Sequence, residues 1–262
     1  PETLAALVFI DKNIDPIELG PQVINSLFVK NVCCDNEAGG QDAAQIILDS
    51  FHSQGVSPDH QRFMVLRGLE GGDARAEGFE STITSLYPDK EIRHPDSKLL
   101  NFTRSKARRW MDQELDAWLK GRNNEFGHEV EDVAWGIFAC NDEMALGVRF
   151  AVADRYRFLR SKLTAKIQAP AVDADVVSSL LAKVLFLQRI RIVGFDGIAA
   201  ALDLIEKADG NYPEWLIGTI RAQVEQQSKE AINWLRLLQD SPALLRTQDT
   251  VKKVPVAPVV RM

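Results

Sequence analysis

Three polar residues stand where a strand-like run gives way to a turn, and each is of a type that hydrogen-bonds hydroxyl groups well. Arg75 follows the glycine-rich turn GLEGGD (residues 68–73) and opens a helix-like stretch. A guanidinium offers five donors in a fixed fork, suited to bidentate contact with vicinal hydroxyls or a carboxylate. The bland alternative is a surface Arg paired with Asp73 or Glu77. Asn141 lies between the apolar run AWGIFAC (134–140) and the stretch EMALGVRFAVA. Its amide can donate to and accept from a hydroxyl pair, although Asn is also a strong helix N-cap. Asp196 closes the apolar run IRIVGF (190–195). A carboxylate there can accept two hydroxyl hydrogens in charge-assisted bonds, or it can simply start an Asp-Gly turn.

Other chemistries fit the sequence less well. GLEGGD has neither the GxGxxG order nor a GK[ST] ending, and Glu70 and Asp73 would repel a phosphate. No GxSxG elbow and no Cys/His pair at motif spacing is present. The four histidines, His52, His60, His94 and His128, show no metal-ligand spacing, so no metal and no cofactor is expected. Paired carboxylates such as Asp196 and Asp11 could in principle do acid–base work on a glycoside.

The elements that must position these residues alternate. Short apolar runs at 4–10 (LAALVFI), 27–34 (LFVKNVCC), 63–66 (FMVL), 134–140, 190–195 and 216–220 read as buried parallel strands, with a weaker strand at 90–94. Between them lie helix-like stretches: one with Ala43, Ile46, Ile47 and Phe51 on one face, one containing Ala76, Phe79 and Ile83, one at 105–119, and one at 224–238. Alternation of this kind predicts a parallel sheet covered on both faces, with ligands beyond the carboxyl ends of its strands. Residues 154–188 break the rhythm. They hold a basic cluster (RYRFLRSK, 155–162), Pro170 and an apolar stretch, and read as a long inserted loop plus helix, either a solvated face or a docking place for a partner. The tail, 251–260, reads as extended and proline-punctuated. Trp110, Trp135 and Trp215 read as packing residues.

Composition sets the outer bounds. The 262 residues are 45% hydrophobic and 26% charged, with a net charge of -6. The composition is ordinary for a soluble globular protein, and the net charge argues against a broad nucleic-acid-binding surface while leaving room for a local basic patch. No apolar run reaches the roughly 20 residues that span a bilayer, and the first residues do not resemble a secretory signal. Cys33, Cys34 and Cys140 are expected to be reduced, buried thiols, which points to a cytoplasmic setting, with a periplasmic one as the alternative.

Four segments, DNEAGG (35–40), GLEGGDARAEGF (68–79), FACNDEMALG (138–147) and IVGFDG (192–197), together resemble the ribose- and galactose-type sugar-binding proteins. The same type I periplasmic-binding-protein fold serves lac-repressor-type regulators as an effector domain. The resemblance implies two Rossmann-like lobes that close on a ligand about a hinge, with one lobe incomplete here. Residues 1–35 would end the first lobe and form a hinge. Residues 36–220, with the insertion at about 154–188, would be the second lobe, and 221–262 a return helix and extended tail.

The resemblance also implies site roles. Arg75, Asn141 and Asp196 match sugar ligands, and Asp142 would cap the helix so that Asn141 is left to bind. Phe102, in NFTR, matches an aromatic that covers a sugar face. Asp11 and Lys12 match an acid–base pair at the end of the first lobe, with Lys where Arg is commoner. Within TIRAQ (219–223), Ala222 stands where the family has Gln, and Gln223 is one step on.

The implied function is binding of a small polar molecule, a monosaccharide, as the sensor domain of a regulatory protein and not as an enzyme. The alternatives are the solute-binding component of a sugar transporter, a degenerate scaffold, or a glycoside-acting enzyme. The implied partners are the ligand and a further N-terminal lobe or output module, with no membrane insertion and no direct nucleic-acid contact.

Overall fold

A computed structural model describes residues 5–10, 27–67, 73–95, 103–120, 133–171, 173–207, 213–240 and 251–260. Its strands are β1 (Ala5–Ile10), β2 (Leu27–Cys34), β3 (Gln61–Leu66), β4 (Ile92–Arg93), β5 (Ala134–Ala139), β6 (Ile190–Asp196), β7 (Leu216–Arg221), β8 (Val251–Val254) and β9 (Ala257–Val260). Its α-helices are α1 (Asn36–Ser53), α2 (Asp73–Leu86), α3 (Arg104–Lys120), α4 (Asp142–Ile167), α5 (Ala174–Gln188), α6 (Ala199–Glu206) and α7 (Val224–Asp240).

The strands form two sheets. The larger has the order β4-β3-β5-β6-β7-β9, and the smaller the order β1-β2-β8. Neighbours from β4 to β7 are parallel, and β9 closes the edge antiparallel to β7. Every residue of β3 and of β5 is buried. That explains the unbroken apolar runs at 63–66 and 134–139: a strand covered on both faces has no solvent side to mark by alternation.

The two faces are covered by different helices. At Gly136 of β5, a Cβ would meet Ile47 and Phe51 of α1. The preceding Trp135 points the other way, stacked 4.5 Å from Trp118 of α3, which in turn meets Phe186 of α5 edge-on. Successive strand residues face opposite sides, so α1 and α2 lie on one face and α3, α4 and α5 on the other. Trp135 and Trp215 are buried, and Trp110 is half-buried against the core.

One sequence expectation needs correction and another completion. Residues 154–188 are not a loop plus helix. The helix that begins at Asp142 continues to Ile167, and α5 packs back on it. Arg, Lys, Leu and Ala are good helix formers, and no proline intervenes before Pro170. The base of this hairpin is packed, through buried Leu159, Val184 and Leu187 and a 3.2 Å bond from Gln188 Nε2 to Tyr156 Oη. The tail is not merely extended: β8 pairs in parallel with β2, and β9 then joins the large sheet.

The chain therefore passes between the sheets twice, at 34–36 and at 254–257. The two passages are joined where Asp35 N–H donates to Val254 O at 2.8 Å. Helix α7 packs against β1 and β2, and its buried Gln227 donates to Cys34 Sγ at 2.7 Å.

Candidate functional site

Because β3, β5, β6 and β7 run in parallel, their carboxyl ends, Leu66, Ala139, Asp196 and Arg221, form one edge of the large sheet. Helices α1 and α2 cross above this edge at very short range. A Cβ on Gly40 of α1 would lie 2.0 Å from the Arg75 carbonyl oxygen, and one on Gly78 of α2 would lie 2.0 Å from that of Glu37. Only hydrogen side chains permit this approach, and it brings Asn36, the first residue of α1, to Arg75 in the first turn of α2.

Arg75 is held on four sides. Its Nε donates to Asn36 Oδ1 at 3.1 Å, and its Nη1 donates to Cys140 O at 2.6 Å and to Asp196 Oδ1 at 3.0 Å. The guanidinium lies 3.8 Å from the centroid of the buried Phe195 ring, a cation–π contact. Among the described residues Nη2 bonds no acceptor. Of the alternative partners drawn from sequence, Asp73 pairs with Arg67, and among the described residues Arg75 makes no bond to Glu77. The Arg75 side chain is 13% exposed and that of Asp196 37%, so the pair sits at the surface of the edge and not inside the core.

Asp196 carries the unusual backbone of the site. Its φ is 108°, the one positive value at a non-glycine among the described residues, and Gly197 follows with φ 69°. Such a conformation costs on the order of 1–3 kcal/mol and persists only where surroundings impose it.

The cap that the resemblance implies for Asp142 falls to Asn141. Asn141 is the N-cap of α4, its Oδ1 accepting from Met144 N–H at 2.9 Å. Asp142 is fully buried. It accepts from Thr219 Oγ1 at 2.7 Å and from Ile198 N–H at 2.8 Å. Burial pushes its carboxyl up to about 6, while those bonds pull it down. Adjacent side chains point in different directions, and sequence does not reveal which one meets the helix N–H groups.

Gln223 follows β7 by two residues, and Arg221 of that strand is in register with Asp196. The Gln223 carbonyl accepts from Gln227 N–H. Among the described residues, its side chain bonds none of Arg75, Asn141 and Asp196. Asp11, Lys12 and Phe102, with the turn 68–72, lie outside the described residues. Asn36, Phe195 and the Cys140 carbonyl were not singled out from sequence. Asn36 sits within DNEAGG, which is the only signal that could have found it.

Cys33, Cys34 and Cys140 are buried thiols outside any disulfide. Burial pushes the Cys140 thiol up to about 12, so it is no nucleophile at neutral pH. Among the described residues no helix is long and apolar enough to cross a membrane, and no cluster of His, Cys, Asp and Glu is set to hold a metal.

The fold is that of the type I periplasmic sugar-binding proteins. No protein-family model matches the chain, and no curated protein matches it in sequence. Solved structures do match. One is an ABC transporter periplasmic solute-binding protein from Actinobacillus succinogenes with bound D-allose, at 20% identity and a TM-score of 0.58, over 97% of this chain and 69% of that one. Another is a solute-binding protein from Agrobacterium vitis with bound D-fucose, at 15% identity and TM-score 0.58, over 98% and 66%. A third is the binding component of the arabinose ABC transporter of Shewanella sp. ANA-3, bound to α- and β-L-arabinofuranose, at 17% identity and TM-score 0.59, over 97% and 64%. Identities of this size establish the fold and nothing finer.

Proposed function

We propose that this chain binds a monosaccharide or similar polyol at the carboxyl edge of the large sheet, as the solute-binding component of a sugar transporter. The observation that carries the reading is the preset Arg75. Its guanidinium is oriented by Asn36, Cys140 O, Asp196 and the Phe195 ring, with Nη2 left to donate beside a carboxylate that can accept. A donor fork next to an acceptor is the pattern that vicinal hydroxyls satisfy. In this reading Asp11, Lys12, Phe102, Asn141 and Gln223 complete the contacts, and the two passages between the sheets act as the hinge on which the lobes close.

Binding without turnover fits hydrogen-bonding groups with no activated nucleophile among them. The sensor alternative uses the same cleft and differs only in what reads its closure. The structures with this fold named above are transport components, and that favours transport over sensing, and a periplasmic over a cytoplasmic setting. Three buried thiols are compatible with either compartment.

The test is calorimetry of the purified protein against D-allose, D-fucose and L-arabinose. Binding of at least one sugar, lost in Arg75→Ala and Asp196→Ala, supports the reading. Absence of binding to all three, or affinity unchanged in both variants, removes it.

A further inference from the structure

Asp142 touches no ligand in the reading above, yet among the described residues it is the one buried carboxylate. It is the first residue of α4, and its two oxygens serve two neighbouring segments. Oδ1 accepts from the Thr219 hydroxyl on β7 at 2.7 Å, and Oδ2 accepts from Ile198 N–H, two residues past Asp196, at 2.8 Å. The Gly197 N–H also bonds it. The close fit extends to Gly194, where a Cβ would lie 2.0 Å from Asp142 Oδ1. The segment so held, 196–198, contains the positive-φ Asp196, a conformation that relaxes unless something fixes it.

We propose that Asp142 is the positioning residue of the ligand site: by binding the 197–198 backbone and Thr219 together, it holds Asp196 in its strained conformation with the carboxylate against Arg75. This rests on the polyol-binding reading of the site.

The latch is also sensitive to pH. The groups facing Asp142 are the Asp196 carboxylate from the end of β6, the Thr219 hydroxyl from β7, and the N–H groups of the turn. From its own helix, the neighbouring Glu143 is paired with Arg104 at 2.9 and 3.0 Å. Burial is the larger influence and Asp196 adds to it, so Asp142 takes up a proton near pH 6. Protonation removes the negative charge and turns one of the two oxygens into a donor, so the bonds from Thr219, Gly197 and Ile198 cannot all keep their charge-assisted strength. Ligand affinity therefore falls as pH drops through that range.

The experiment compares wild type with Asp142→Asn and Thr219→Val in two ways. Amide hydrogen exchange of Gly197 and Ile198 is read without ligand, and affinity for a sugar bound by the wild type is read at pH 7.5 and 5. Asp142→Asn is expected to speed exchange at these amides about tenfold or more, to weaken binding about tenfold, and to remove the loss of affinity at pH 5. Thr219→Val, which deletes one bond and keeps the carboxylate, is expected to weaken binding less and to keep the acid-side loss. Unchanged exchange at 197 and 198 in Asp142→Asn overturns the proposal, as does wild-type affinity with a wild-type pH profile. If Asp142→Asn does not fold, a Thr219→Val protein without the acid-side loss overturns it equally. The exchange measurement needs no ligand, so a wild type that binds no sugar sinks the functional reading while the latch is still decided.

Discussion

Arg75 Nη1 lies 3.0 Å from Asp196 Oδ1, a contact between residues 121 positions apart in sequence. One end is fixed by the crossing of α1 and α2, the other by the end of β6, so the pair reports on whether both layers are in place. A planar fork set by Asn36, Cys140 O and Phe195 cannot be replaced by a point charge. Arg75→Lys is therefore expected to lose most of the affinity that Arg75→Ala loses. Each lost charge-assisted bond is worth about 1.5–3 kcal/mol, or roughly ten- to a hundredfold. Calorimetry on both variants checks this, and near-wild-type affinity in the Lys variant would show that charge alone matters.

The helix crossing makes a second prediction, independent of any ligand. A methyl group at Gly40 or Gly78 meets backbone oxygen at 2.0 Å, and backbone cannot step aside as a flexible side chain can. Overpacking of this kind costs about 1–3 kcal/mol. Gly78→Ala is expected to lower stability by that amount in urea denaturation and to weaken the Arg75–Asn36 contact. A variant as stable as wild type would mean that the helices can part at little cost.

Much of this arrangement was legible in the sequence. The strands β3, β5 and β6 show as apolar runs because both faces are covered, and the polar residues that end them fall on one edge because the strands are parallel. What was hidden depends on distant partners. The tail becomes β8 and β9 only through pairing with β2 and β7, and Pro258, opposite Ile220, is tolerated because β9 lies at a sheet edge. The short helix α6, AAALDLIE, was missed because eight residues carry little periodic signal. The division of labour between Asn141 and Asp142 rests on side-chain direction, which no spacing rule encodes.

The strain at Asp196 separates two substitutions that look alike. Asp196→Ala and Asp196→Gly both delete the carboxylate that pairs with Arg75, but only alanine must place a Cβ at φ 108°. Glycine visits positive φ without steric penalty. The Gly variant is expected to be more stable than the Ala variant by about 1 kcal/mol, and both are expected to lose ligand affinity. Equal urea midpoints for the two would show that the turn relaxes once the carboxylate is gone.

The buried Asp142 gives the protein a pH dependence whose sign follows from the direction of its shift. Its folded value, raised to about 6 from 3.8 chiefly by burial, means that the folded state holds the proton more tightly than the unfolded chain does. The associated stability is fully present below about pH 4 and is lost as pH rises through about 6. Each tenfold difference in proton affinity is worth about 1.4 kcal/mol, so the loss over this window is about 3 kcal/mol. Other carboxylates titrate in the same range, so the informative quantity is wild type minus Asp142→Asn, measured by urea denaturation at intervals from pH 4 to 7. That difference is expected to favour the wild type most at pH 4 and to decline by about 3 kcal/mol toward pH 7. A flat difference would mean that Asp142 titrates in the fold as it does in the unfolded chain, and a rising one would mean that its hydrogen bonds to Thr219 and Ile198 outweigh its burial.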